Sequence, residues 1–298
     1  MATTTARLLS ISETLRTRKT FRTRFFNRVT RNYTTLFALL FLILIAVIAV
    51  IGPSIAPFDP IRQNYNNVNI PPNTTHWFGT DNFGRDIFSR VLSGAYLSLS
   101  IGIFSVVIGL FVGVTLGVLA GFFGGLIDEL IMRSVDVLLA FPGILLAILI
   151  VSILGSTVTN VIFALAIFSI PTFARLTRSA VLSVRFLDYV LAAQSIGARP
   201  PRIINFHILP NIVSPIIVYS TLRMATAILS GATLSFLGLG VSPPTPEWGL
   251  MVSAGLPFLR THPHIIFFPG AAIFLTVLSI NLIGDALRDV LDPKGKYD

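Results

Sequence analysis

The chain has 298 residues, 53% of them hydrophobic and only 12% charged, with a mean hydropathy of +0.81. Soluble domains carry about 25% charged residues, so this balance excludes an ordinary globular enzyme and marks a polytopic membrane protein. The net charge is +9 and there is no cysteine, which removes disulfides, thiolate nucleophiles and Cys-built metal sites.

Residues 1–33 form a basic tail, in which Arg7, Arg16, Arg18, Lys19, Arg22, Arg24, Arg28 and Arg31 face a single acid, Glu13. Such a tail suits a nucleic-acid arm, an Arg/Ser/Thr-rich transit peptide, or an anchor holding the N-terminus in the cytoplasm. The apolar run that follows at once is too long for a signal peptide and favours the anchor. A helix needs about 20 apolar residues to cross the hydrocarbon core. Six stretches meet this, at about 34–56, 97–120, 137–154, 158–176, 212–236 and 265–284. The expected architecture is therefore an all-α six-span domain over 34–287, with a short tail at 288–298. A cytoplasmic N-terminus puts loops 57–95 and 241–264 outside and loop 177–211 inside, with both termini cytoplasmic. The inside loop 121–136 fits poorly, because Arg133 stands against Asp128, Glu129 and Asp136. Acids count little in this rule, so the orientation is kept.

The second span carries Gly109, Gly113, Gly117 and Gly121, four residues apart. That spacing makes a groove on one helix face where a neighbouring backbone can approach closely. Asp81 and Asp86 flank a glycine and read as turn-formers rather than a calcium loop.

The inside loop reads as two short helices. Asp188 is placed to cap the first. Gly197 is placed to end it in a left-handed conformation. Pro200 and Pro201 suit the first turn of the second helix, and Pro210 is expected to stop it. The first helix is expected to expose Ala192 and Ala193 as a small, low patch.

"AAQSIGARPPRIINFHILP" in this loop resembles the EAA loop of ABC-importer permeases, through Ala192, Ala193, Gly197, Leu209 and Pro210. "HWFGTDNFGRDIFSRVLSGA", "AFPGILLAI", "LSFLGLG" with "PPTPEWG", and "NLIGDALRDVLDPK" are similar to the second permease subunit of the peptide/nickel/opine importers. Within that family "AIFSIPTFARL" and "PPTPEWG" resemble the dipeptide and glutathione permeases. The resemblance implies a type I ABC-importer transmembrane domain in a prokaryotic inner membrane, half of a heterodimeric pore. It implies a homologous permease partner, two cytoplasmic ATPases that bind ATP and Mg, and an extracytoplasmic solute-binding protein, with no cofactor on this chain. The loop's first helix would dock in an ATPase cleft. Two positions depart from the pattern. Leu191 stands where the family has an acid, and His207 stands where the general motif has isoleucine.

Other chemistry is sparse. No G-x-x-x-x-G-K-[ST] cradles a phosphate, and Gly238-x-Gly240 lacks the rest of a dinucleotide fingerprint. No H-E-x-x-H is present, and His262-Pro-His264 without a carboxylate or thiol makes a weak metal site. An ion-coupled secondary carrier is the rival class. Between Ala140 and Gly284 the only acids are Asp188 and Glu247, both in loops, which removes the usual proton relay. Sodium coupling through broken-helix carbonyls stays open. In the fifth span Ser220, Arg223, Thr226, Ser230 and Thr233 follow three- and four-residue steps, one polar stripe on an apolar helix. The stripe is expected to line the translocation path, with Arg223 near mid-bilayer attracting substrate carboxylates or pairing with the partner permease. The cargo expected from the resemblance is a short peptide or glutathione, with nickel chelates as the alternative.

Overall fold

The computed structural model describes residues 32–291, so the basic tail at 1–31 and the last residues, 292–298, lie outside it. Ten α-helices follow in chain order among the described residues. They are α1 (Tyr33–Ile55), α2 (Ile87–Phe123), α3 (Gly125–Leu139), α4 (Gly143–Leu154), α5 (Val158–Arg185), α6 (Asp188–Ser195), α7 (Pro200–Ile203), α8 (Leu209–Phe236), α9 (Trp248–Gly255) and α10 (His264–Leu291). Five helical stretches, at α1, α2, α5, α7 to α8 and α10, are long and apolar enough to cross a membrane. The sixth expected span, 137–154, is found as a broken pair, α3 with α4, which together are long and apolar enough to cross. The chain breaks between Leu139 and Gly143, and α3 and α4 meet at 87°. Pro142 imposes the break, since the residue before a proline is driven out of the helical region. The twelve residues of α4 reach about 18 Å, short of the roughly 30 Å hydrocarbon core.

The second span is longer than the apolar run suggests. α2 begins at Ile87, inside the stretch read as an external loop, and runs 37 residues. At ~1.5 Å per residue it is about 55 Å long and overshoots a bilayer of about 40–45 Å. Its start is fixed by Asp86, whose carboxylate accepts from Ser89 N at 2.8 Å and Ser89 Oγ at 2.7 Å.

α2 is the spine. Along one face, Gly109, Gly113, Gly117 and Gly121 meet α5. A Cβ added to Gly109 would lie 2.6 Å from Ser169 Cβ, and one added to Gly113 would lie 2.6 Å from Phe173 Cβ. At Gly117 it would lie 2.5 Å from Ala174 O, and at Gly121 2.8 Å from Val181 Cβ. The groove read from the sequence is thus the α2–α5 seam. Dispersion between closely approaching backbones holds it, since lipid offers no hydrophobic drive between helices.

The two ends of α2 define two ends of the bundle. Near Ile87 a buried cluster joins Ile45, Ala49, Val91, Trp248, Met251 and Ile265. This is the loop end, where the 57–86 and 241–263 connections meet. Near Phe122 a second cluster joins Val118, Val181, Val190, Ala193, Ile203 and Ile208. Here the short helices α6 and α7 dock. α1 reaches the loop end by its C-terminal half, where Gly52 faces Leu92 O. Arg288 and Leu291 of α10 share a cavity with Asn211 at the start of α8. The described chain therefore starts and finishes at the α6–α7 end.

The acids that sat awkwardly in loop 121–136 are neutralised there. Asp128 on α3 accepts a two-pronged bond from Arg178 of α5, with Nη2 to Oδ2 at 2.6 Å. Asp136 pairs with Arg175 at 2.6 Å and Glu129 with Arg133 at 3.6 Å. Arg185 Nη1 donates to Gly121 O at 3.2 Å and closes the seam at this end.

Candidate functional site

The α6–α7 loop follows the sequence reading in outline and departs from it in three places. Gly197 ends α6 with φ +76°. Its N–H donates to Gln194 O at 2.9 Å, and Ala198 N donates to Ala193 O at 3.1 Å. Those two bonds form a glycine-terminated C-cap, which satisfies carbonyls that the helix end would leave open. Pro200 and Pro201 occupy the first turn of α7, where the missing N–H costs nothing.

The departures each have a physical cause. Leu187, not Asp188, is the cap residue of α6, and no side chain caps it. Asp188 sits in the first turn, where its charge suits the positive end of the helix dipole. Ala193 is not exposed: at 7% it is buried among Val190, Ile203 and Ile208. Pro210 does not stop a helix. A π-helical turn, Ile204–Ile208, joins α7 to α8, and its wider winding relieves the clash that a proline ring makes with the preceding turn. α7 and α8 therefore form one helical stretch, Pro200–Phe236. Leu209 opens α8 at the end of that turn, and its N–H donates back to Ile204 O.

With Ala193 turned inward, the outward face of the loop is Ala192 with Leu191. Phe186 at 63%, Leu187 at 45% and Ile196 at 85% exposure extend it. This apolar surface was not read from the sequence, although four large hydrophobics within eleven residues of a polar loop were a visible signal. Leu191, in place of an acid, belongs to it. His207 contributes its carbonyl, which accepts from Asn211 Nδ2 at 2.7 Å.

The polar stripe of α8 lies on an open face. Thr226 is exposed, and Ser220, Arg223, Ser230 and Thr233 are half-buried. The hydroxyls of Ser220, Thr226 and Thr233 donate to carbonyls of their own helix, so none requires an outside partner. A cavity of about 560 Å³ flanks the face near the loop helices, lined by Leu176, Ser214, Tyr219 and Arg288. Another of about 200 Å³ flanks it near the loop end, lined by Thr233, Phe236 and Ile273. Arg223 stands between them. Its Nη2 donates to Ser169 Oγ at 3.2 Å, its guanidinium lies 4.8 Å over the Phe168 ring, and Nε is buried without a partner. No carboxylate among the described residues pairs with it. The structure does not bring this stripe to the α6 loop; they occupy different levels of the bundle.

At the loop end the polar residues are knitted together. His76 Nδ1 lies 2.9 Å from Asp86 Oδ1. Glu247, 1% exposed, caps α9 by accepting from Gly249 N and Leu250 N, and receives Ser98 Oγ at 3.1 Å. Trp248 Nε1 donates to Val91 O at 2.9 Å. "PEWG" is thus a clamp of the 241–254 segment onto α2. His264 Nε2 turns toward Thr80 O at 3.4 Å and His262 Nδ1 lies 3.0 Å from Thr261 Oγ1, while the two rings meet edge to face with centroids 6.1 Å apart.

Comparison with known proteins gives a consistent picture. Residues 113–297 match the family described as binding-protein-dependent transport system inner membrane component. Residues 20–72 match the N-terminal TM domain of oligopeptide transport permease C. The chain is 53% identical over 273 residues to the glutathione transport system permease protein GsiD of Escherichia coli O6:K15:H31, covering 91% of this chain and 90% of that one. The GsiD protein of Shigella boydii serotype 4 gives the same figures. Among solved structures, an inward-facing form of the MetNI methionine ABC transporter superposes with a TM-score of 0.57 at 18% identity, over 68% of this chain and 96% of that one. An amino acid ABC transporter with histidines gives 0.51 at 16%, over 67% and 92%. At such identities these two establish the shared fold alone.

Proposed function

The chain belongs to the family of binding-protein-dependent transport system inner membrane components, and from that premise we propose that it is the half-pore of an ATP-driven importer of short peptides, with glutathione as a cargo. The observation that carries the reading is the α6 loop: a glycine-capped helix, docked on the bundle by Ala193 and Val190, that turns an apolar face outward. Such a face fits a cleft on an ATPase subunit. A rigid C-cap at Gly197 and the unbroken stretch into α8 would carry a push on α6 directly into the helix that bears the polar stripe. ATP and Mg²⁺ belong to two partner ATPases, and this chain does no covalent chemistry. A homologous permease covers the open face of α8, and an extracytoplasmic binding protein delivers cargo at the loop end. The α6 end is cytoplasmic in this reading, as are both termini, in a prokaryotic inner membrane.

Arg223 gives the path its chemistry. A cation in mid-span is costly unless it meets water, a π-face or an anion. Phe168 and Ser169 hold it from one side and leave the charge without a counter-ion among the described residues. It would attract the carboxylates of glutathione or of a peptide C-terminus, a preference that does not favour a free metal cation. The test is uptake by proteoliposomes holding the complex with its native partners. ATP-dependent uptake of glutathione or dipeptides that needs the binding protein is expected. Uptake by this chain alone, driven by a pH or Na⁺ gradient, would replace the reading with a secondary carrier.

A further inference from the structure

In the broken 137–154 stretch, Pro142 is followed at once by Gly143, the first residue of α4. The φ of Gly143 is not positive, so its backbone does not require a glycine. Space does. A Cβ added there would stand 1.8 Å from Cε2, 2.2 Å from Cδ2 and 2.4 Å from Cζ of Phe168, all on one side of that ring. Only a bare backbone can come so close. The same ring carries the Arg223 guanidinium, 4.8 Å from its centroid. One aromatic ring on α5 is therefore shared by the start of α4 and by the cation of α8.

The other support of Arg223 is slight. Ser169 Oγ accepts from Nη2 at 3.2 Å, at the long end of the range and from a neutral group. The hydroxyl gives its own proton to Leu165 O at 2.9 Å, so it meets the guanidinium as an acceptor only. Nε is buried without a partner. The π-face of Phe168 is the remaining contact that favours the charge. It fixes where the cation stands without cancelling it. A carboxylate in its place would hold the cation as firmly and remove its attraction for an anionic cargo.

We propose that Phe168 is a positioning residue of the translocation path: its ring sets the Arg223 guanidinium where cargo carboxylates pass, and Gly143 is small because the ring must stand there. The inference rests on the reading above that Arg223 faces the path. It gives the α3–α4 break a role, since the break brings backbone against the ring. Phe168 acts through Arg223 and needs no contact of its own with cargo.

The test uses the complete complex in proteoliposomes at saturating loaded binding protein. Glutathione uptake, ATP hydrolysis and the thermal midpoint are followed together. Phe168 is replaced by mono-, di- and trifluorophenylalanine, which drain negative potential from the ring face and hardly alter its shape. Uptake per ATP is expected to fall stepwise, to about a third to a tenth for the trifluoro ring, at an unchanged midpoint. A ring that only fills space would give a flat series. Phe168→Leu should fall as far, and Phe168→Tyr, which keeps the face, should retain most of the uptake. Gly143→Ala should match Phe168→Leu, because a ring can rotate away from the new methyl where backbone could not. Adding Gly143→Ala to Phe168→Leu should cost nothing further, since both act through one ring. If Phe168→Leu does not assemble, the fluorinated series alone decides. A flat series in an intact complex overturns the proposal. So does a loss of uptake that follows the thermal midpoint, or additive losses in the double variant. Full uptake by Arg223→Gln removes the reading of the preceding section. An inactive Arg223→Gln with a flat series removes only the positioning role.

Discussion

Gly113→Ala is the smallest change that tests the α2–α5 seam. The added methyl would stand 2.6 Å from Phe173 Cβ, 2.7 Å from Ile170 O and 3.1 Å from Ala174 N. Carbon atoms in good contact are about 3.5–4.0 Å apart, so the helices must separate locally by roughly 1 Å. Two of those three neighbours are backbone, which cannot swing aside. Phe173 itself is fully buried and packs edge to face against Tyr219, so its side chain has little room to move. Overpacking of this kind costs about 1–3 kcal/mol. Alanine returns roughly 0.5–1 kcal/mol of helix propensity relative to glycine. The expected net loss is therefore about 0–2.5 kcal/mol, with the upper half favoured by the rigid neighbours. Gly270→Ala in α10 is the control, since a Cβ there meets nothing within 4 Å and only the propensity gain remains. Thermal unfolding of the purified complex should show Gly113→Ala below wild type and Gly270→Ala at or above it. Gly113→Leu should be lower still and reduce the yield of folded complex. If Gly113→Ala and Gly270→Ala shift the midpoint equally, backbone contact does not hold the seam and the reasoning fails.

Four further outcomes follow from the site. Gly197→Val forces a β-branched residue into φ +76° and should uncouple ATP hydrolysis from uptake while the chain still inserts, measured as cargo moved per ATP. Ala192→Trp adds bulk to the outward face of α6 and should weaken ATPase binding with the bundle intact; Ala193→Trp should instead unfold the loop, exposing its backbone to proteolysis. Asp128→Asn removes a partly exposed pair and should cost about 1 kcal/mol or less, a difference from wild type that shrinks in 1 M salt. Arg223→Lys should keep partial uptake and Arg223→Gln lose it with assembly normal; assembly lost in Gln alone would make Arg223 a structural pair with the partner permease.

What the sequence disclosed were properties that repeat along one helix. Glycines four apart announce a seam because the helical period places them on one face whatever the partner, and the partner proved to be α5. The stripe through Arg223 was legible for the same reason. Gly197, three residues before Pro200 in a polar loop, needs only local backbone chemistry to be read as a cap. Failures came where a remote element decides. Small size at Ala192 and Ala193 gives no hint that the buried cluster holding Val118, Phe122 and Val181 takes in one and leaves the other bare. Pro210 has the local chemistry of a helix stop, and only a π turn shows how the helix passes through it. The break in 137–154 was written in "AFPG", where a proline follows a bulky residue and precedes glycine, yet hydropathy averages over such a point and reports one span.

Charge counting shows the same limit most sharply. Arg85, Arg90 and Asp81 lie in the 57–95 stretch, where three arginines meet three aspartates and the charges cancel. Summation is blind to distance, and at 2.7 Å against 3.7 Å the one carboxylate satisfies Arg85 and leaves Arg90 to backbone carbonyls. Exposed and far apart, three such charges would be screened within about 10 Å and mean little. Folded together they become a structural tie, since Arg90 also donates to Pro60 O and Pro244 O across the two connections. Arg223 is its counterpart within the spans, a cation held by a ring and a hydroxyl rather than by an acid. The two arginines therefore have different tests: Arg90→Gln should lower the thermal stability of the complex, because it cuts the tie between the two connections, whereas Arg223→Gln should leave stability unchanged and lower the rate of uptake. Loss of stability in Arg223→Gln would make it a structural tie as well, and would refute their separation.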